Sequence, residues 1–233
     1  MSARHVSFVE TGRSRPSREL LLHLAEHLDV PLRDRNTLLL AAGYAPLYAE
    51  RSLETDELRP VRDALAQMLA GHEPFPAVVV DRRWDLVSGN AAAMQLIGSR
   101  VSPELLATPV NTLRVSLHPD GLAPHIVNLA QYAAHLIARL DRQAAAAQDA
   151  DLRALSRELR GYPGVPSGVI DHADIVSRLF VPLVLRATDG GAPMTFFSTI
   201  ATFGTALDLT VAELAVEQFF PADAATAAAL RTA

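Results

Sequence analysis

The chain has 233 residues, 49% of them hydrophobic, which is enough to build a substantial core and excludes a globally disordered protein. Its net charge of −5 argues against wholesale nucleic-acid binding by the surface as a whole. It contains no cysteine, so there is no disulfide framework, thiolate nucleophile or zinc–thiolate site. Every basic side chain apart from histidine is arginine. No apolar run reaches the ~18 residues of a membrane span, and the N-terminus lacks the apolar core of a signal peptide. A soluble cytoplasmic protein is the expectation.

Residues 1–18 carry Arg4, Arg13, Arg15 and Arg18 against the single acid Glu10. Ser2 is placed to cap a helix running to about Thr11, with Gly12 ending it. Ser17 is placed to cap a second helix, whose Leu20, Leu21, Leu24, Ala25 and Leu28 repeat at 3.6 residues until Pro31. A third helix is expected from Asn36 to Ala42, ended by Gly43. Tyr44–Thr55 reads as a linker, and Leu58–Leu69 as an amphipathic helix with Leu58, Val61, Leu65, Met68 and Leu69 on its buried side.

Ala77–Val80 is a wholly apolar strand, Asp81-Arg82-Arg83 a turn, and Trp84–Ser88 a second, alternating strand. Asn90 caps a helix over Ala91–Ile97. Trp84 is expected in the core, from its bulk.

The stretch Asn111-Thr-Leu-Arg-Val-Ser-Leu-His-Pro-Asp-Gly121 reads as a short helix stopped by Pro119 and the Asp120-Gly121 turn. At about 100° per residue, Asn111, Arg114 and His118 fall within an arc of roughly 60°. Val110, Leu113 and Leu117 form the adjacent apolar arc. An amide, a guanidinium and an imidazole beside an apolar stripe suit an amphiphilic anion, with Arg114 as the fork for its carboxylate. The competing arrangement is structural: Arg114 pairs with a protein carboxylate such as Asp120 and closes the domain.

A long helix follows over Pro124–Gln143, then a shorter one over Leu152–Arg160, then a Gly/Pro loop at 161–168. The last third is β-like: Ser177–Arg186, with Pro182 at an edge or bulge, then Met194–Phe203, then an alternating Leu207–Val211 that runs on into Ala212–Phe220, a stretch read as strand in preference to helix. A short helix starts at Asp223. Two early strands and three late ones make a five-stranded antiparallel sheet around central helices, an α+β fold.

His118, Asp120 and His125, with His172 and Asp174, are the candidate metal cluster. Their setting among prolines and a glycine reads instead as turns and caps, so no metal is expected. No Gly-x-Ser-x-Gly elbow is present, and no catalytic residue is assigned.

Several motifs resemble known families. Val6-Ser-Phe-Val-Glu-Thr-Gly12 with Pro16-Ser17 resembles the end of a lambda-repressor-like (Xre-type) helix-turn-helix domain. That implies Ser2, Arg4, His5 and Arg13 as DNA contacts. The two helices that normally brace the recognition helix are missing ahead of it, so specific DNA binding is expected to be weak. The order strand–turn–strand–Asn90–helix resembles the opening of PAS domains. Arg15-Pro-Ser-Arg-Glu-Leu20, His27–Asn36, Leu40–Pro46, Asn111–Gly121, Phe196–Gly204 and Phe219-Phe-Pro-Ala-Asp223 together resemble the MmyB-like transcription regulators of actinobacteria. The resemblance implies a partial helix-turn-helix domain over 1–48, a linker at 49–57 and a PAS-like ligand-binding domain over 58–233. It implies a cytoplasmic, homodimeric, ligand-responsive regulator that is not an enzyme. Its partners would be DNA and a fatty acid or similar amphiphile, with no other cofactor. The ligand-binding residues implied are Asn111, Arg114 and His118, with Leu113, Leu117 and Trp84. The alternative is a stand-alone sensing or dimerisation module that does not bind DNA directly.

Overall fold

In a computed structural model of the chain, residues 3–167, 180–187 and 190–232 are described. The chain divides into two units. One takes the chain up to Arg59 together with Phe203–Glu213; the other takes Pro60–Thr202 with the chain from Leu214 on.

The first unit opens with α1 (Ala3–Glu10), α2 (Arg18–His27) and α3 (Leu32–Ala41). Ser17 caps α2 as its sequence requires, its hydroxyl accepting from the Leu20 amide at 3.2 Å. The third helix begins at Leu32 rather than Asn36, because Pro31 heads it; a proline at a helix start gives up no hydrogen bond, since those amides have no intrahelical acceptor. Asn36 is buried instead, with its Oδ1 accepting from the amides of Leu47 and Tyr48 at 2.9 and 3.1 Å. The segment 203–213 joins these helices through Arg33, which forks between Glu50 and Glu213 at 2.6 Å each, and through Arg51 on Asp208 at 2.9 Å. The Leu209 amide donates to the Ala49 carbonyl at 2.8 Å. Here the alternation at Leu207–Val211 misleads: Asp208 accepts from the Thr210 amide at 3.0 Å and caps a short helix, α9 (Leu209–Ala212).

The second unit opens with α4 (Arg59–Gly71) and is built on a sheet of β1 (Ala77–Val80), β2 (Leu86–Gly89), β3 (Leu183–Leu185), β4 (Met194–Thr202) and β5 (Ala215–Pro221). The strand order is β2-β1-β5-β4-β3, every pair antiparallel. This is the five-stranded α+β arrangement expected from the sequence. β1 lies between β2 and β5 and is buried along its whole length, which explains its unbroken Ala-Val-Val-Val text. The longest pairing joins β4 to β5, from Phe196↔Pro221 to Thr202↔Ala215. The helices are α5 (Ala91–Gly98), α6 (Thr112–Leu117), α7 (Leu129–Ala146), α8 (Ala150–Leu159) and α10 (Ala224–Thr232). α7 turns Tyr132, Ala133, Leu136, Ile137, Leu140 and Ala144 into the core, a 3.6-residue stripe.

Further boundaries differ from the sequence reading, each for a local reason. Trp84 is not in β2. The Asp81 carboxylate accepts from the amides of Arg83 and Asp85 at 2.8 and 2.9 Å, and the turn it makes leaves Trp84 at φ 66°. α7 starts at Leu129 rather than Pro124, because the chain first runs extended beside β3: the Val127 amide donates to Val184 and the Arg186 amide to His125, both at 2.8 Å. The stretch 212–220 is strand only from Ala215, since its first residue closes α9. Of the predicted strand Ser177–Arg186, only 180–186 falls among the described residues, and there β3 follows Pro182 directly.

Candidate functional site

Between the sheet and helices α5, α6 and α7 lies a cavity of about 80 Å³. Trp84 and Leu86 line it from the β1–β2 side, Leu96 and Ile97 from α5, Leu113 from α6, and Tyr132 and Leu136 from α7. Phe196 of β4 and Glu217 and Phe219 of β5 close it from the sheet. Strand alternation explains the last pair: residues 217 and 219 share one face of β5. The lining is almost wholly apolar. An engineered apolar cavity of about 150 Å³ holds benzene, so a void half that size suits a few methylene groups.

Glu217 is the one charged side chain in the lining; Thr112 and Ser116 of α6 and Tyr132 of α7 are its uncharged polar members. Glu217 is 8% exposed. Burial raises the pKa of its carboxyl, against the opposing pull of Arg139 at 3.8 Å and a bond from the Ser198 hydroxyl. Arg139 in turn lies over the Trp84 ring, 4.3 Å from its centroid. Tyr132 is buried beside Glu217, and the desolvation raises its phenol's pKa as well. Trp84 itself is 3% exposed and is fixed by its indole N–H, which donates to Gln143 Oε1 at 2.9 Å.

The sequence-predicted residues divide into two groups. Trp84 and Leu113 line the cavity. Leu117 is fully buried in the surrounding core, outside that lining. Asn111, Arg114 and His118 do not line it; they tie α6 to its neighbours. Asn111 caps α6 through a 3.2 Å bond from the Arg114 amide, and its Nδ2 donates to the Arg83 carbonyl and to Asp85 at 2.8 and 3.0 Å. Arg114 grips Glu158 of α8 with two bonds of 2.8 Å, and the Tyr162 hydroxyl donates to the same carboxylate. The carboxylate that pairs with Arg114 is therefore Glu158, not Asp120. His118 Nδ1 accepts from the Asp120 amide at 3.0 Å, and its ring meets Tyr162 edge-on. Gly121 completes the turn where no side chain fits: a Cβ there would lie 2.3 Å from the Val115 carbonyl oxygen.

Sequence reasoning missed Glu217, Tyr132 and Arg139. A signal for Glu217 existed, since it is the one acid inside the apolar strand text of 214–220. Arg139 gave none, because an arginine on a long amphipathic helix ordinarily faces water. Among the described residues no group of three His, Asp or Glu side chains is placed to hold a metal ion; His172 and Asp174 lie outside those residues. Ser2 and the side chains of Arg4 and His5 also lie outside them, while Arg13 is exposed. No helix among the described residues is long and apolar enough to cross a membrane.

Comparison with known proteins gives the following. A variant of RsLOV superposes with a TM-score of 0.33 at 14% identity, over 72% of this chain and 75% of that one. The Rhodobacter sphaeroides LOV protein gives 0.31 at 12%, over 72% and 71%. A PAS domain from Desulfitobacterium hafniense gives 0.24 at 12%, over 63% and 92%. No curated protein matches the chain. The family described as the MmyB-like transcription regulator ligand binding domain matches residues 61–233. The chain, then, belongs to the MmyB-like transcription regulators, and residues 61–233 are the family's ligand-binding domain.

Proposed function

We propose that the domain binds a small amphiphile, a fatty acid being the first candidate, and that occupancy modulates DNA binding by the regulator. One observation carries this reading. The ligand-binding domain encloses an apolar cavity against its central strands, where a well-packed core would leave none. A hydrocarbon tail gains roughly 0.8 kcal/mol per methylene buried there. Trp84, the single tryptophan of the chain, lines the cavity and supplies a built-in reporter.

The test has two stages. Titrating the purified chain with saturated fatty acids of increasing length should change Trp84 emission saturably, with affinity rising with length until the void is filled. Gel shifts on the protein's own promoter, with and without the best acid, then read the regulation. Absence of any saturable Trp84 response across the series refutes ligand binding in the cavity. Identical shifts with and without bound acid refute the regulatory half. Because the net charge is −5, binding without ligand is expected to be weak at physiological salt.

A further inference from the structure

Resting on the reading just given, we infer that the acid's head group is held by Arg100 in the groove between α5 and α10, and that its tail enters the cavity past Leu96.

The cavity is too small to take a long chain, and its charge is wrong for a carboxylate. No basic residue lines it, and on the sheet side it carries Glu217. An acid head placed there would face another carboxyl in a dry site, which is strongly unfavourable. Arg139, the cation nearest Glu217, is already engaged by that carboxyl and by the Trp84 ring. Arg114 is committed to Glu158.

Leu96 lines both the cavity and a neighbouring groove of about 600 Å³. The groove floor is apolar, with Leu96, Met194 and Leu230 all packed against the main core. Arg100 is the basic residue on its wall. No carboxylate among the described residues pairs with Arg100. Its Nη1 donates to the Leu96 carbonyl and the Ser99 hydroxyl at 3.1 Å each, and its Nε is buried with no acceptor. A buried donor left unmet is unfavourable, and an anion reached by turning the guanidinium into the groove would relieve it. The groove's own acid, Glu73, is held at the opposite end of α5, accepting from the Ala91 amide at 2.8 Å. A carboxylate is thus drawn to the Arg100 end. Arg100 lies two residues past the end of α5, and its Nη1 reaches back to the Leu96 carbonyl at 3.1 Å, so head and tail sites are contiguous.

The experiment compares dodecanoate with dodecanol on the full chain, read by Trp84 emission, with thermal melts as the folding control. In the wild type the acid should bind more tightly than the alcohol. Arg100→Gln should weaken the acid by about tenfold or more, equivalent to 1.4 kcal/mol per decade, and leave the alcohol unchanged. Arg100→Lys should recover part of the acid's preference. Leu96→Phe should weaken both compounds by narrowing the entry. Wild-type affinity for dodecanoate in a folded Arg100→Gln chain overturns the head-group assignment and leaves the cavity reading standing. Undiminished binding of both compounds by Leu96→Phe overturns the route. Failure of both compounds to bind the wild type overturns this inference together with the reading beneath it.

Discussion

Replacing Arg114 with alanine separates the two roles open to that residue. In the structure it makes a two-pronged bond to Glu158, 2.8 Å on each prong. Both side chains are well exposed, 42% and 38%, so solvent screens the pair. Exposed ion pairs contribute about 0.2–1 kcal/mol, and the fork geometry puts this one near the top of that range. Removing the arginine leaves Glu158 in water with its bond from Tyr162, so no charge is stranded. The expected loss is about 1 kcal/mol, a fall in Tm of roughly 2–4 °C for a domain of this size. Pairing the change with Glu158→Ala in a double-mutant cycle should return about 0.5–1 kcal/mol of coupling. The pH dependence follows from Glu158, whose carboxyl the Arg114 bond holds below its ordinary 4.5. A depressed carboxylate stabilises the fold above its unfolded value, and that gain is lost as pH falls through the folded one. Wild type and Arg114→Ala should therefore differ at neutral pH and converge in acid below 4.5. Affinity for dodecanoate should not change. A loss of about tenfold in that affinity, with the melting temperature unmoved, would refute the structural role and return Arg114 to the ligand.

Gly121→Ala should cost more than about 2 kcal/mol in chemical denaturation, because the new methyl would sit 2.3 Å from the Val115 oxygen, a backbone atom that cannot turn away. Asn111→Ala removes the cap of α6 along with two bonds to the β1–β2 turn, and should cost about 1–2 kcal/mol for the cap alone. Glu217→Gln should stabilise the domain at neutral pH and leave it unaffected in acid. Burial raises this carboxyl's folded pKa, so the unfolded chain releases the proton first and the wild type loses stability as pH rises. A pH series of melts in which Glu217→Gln tracks the wild type throughout would show that Arg139 compensates the charge in full.

Much of the fold was legible because local text and tertiary role coincide. The unbroken apolar run Ala77–Val80 is a strand buried from both sides, and the stripe from Tyr132 to Ala144 is a core face. Two of the misreadings share a cause: a side chain bonding its own backbone. Asp81 pulls Trp84 out of β2, and Asp208 turns an alternating segment into α9. The site was legible to the same degree. The apolar members Trp84 and Leu113 follow from periodicity, which reports burial. The partners of Asn111 and Arg114 do not. Asp85 and Glu158 lie 26 and 44 residues away, and helical spacing says which side chains share a face, not what faces them.

The grouping of 203–213 with the N-terminal helices means that the two units are joined by three covalent threads rather than one. A polypeptide started at the family boundary, residue 61, would keep this excursion and lose its hosts. Asp208 and Glu213 would be deprived of Arg51 and Arg33, and the Leu209 amide of the Ala49 carbonyl. Leu209 and Val211, now buried, belong to the helix that packs on α3 and would meet water. Such a fragment would carry a sticky, charge-unbalanced tab between its two longest strands. Conversely, a protease that nicks the chain once after α3 would not release the helices, because they remain fastened to the hairpin tip. An excised sensor with good solution behaviour requires that the tab be shortened to a tight turn linking Thr202 to Leu214.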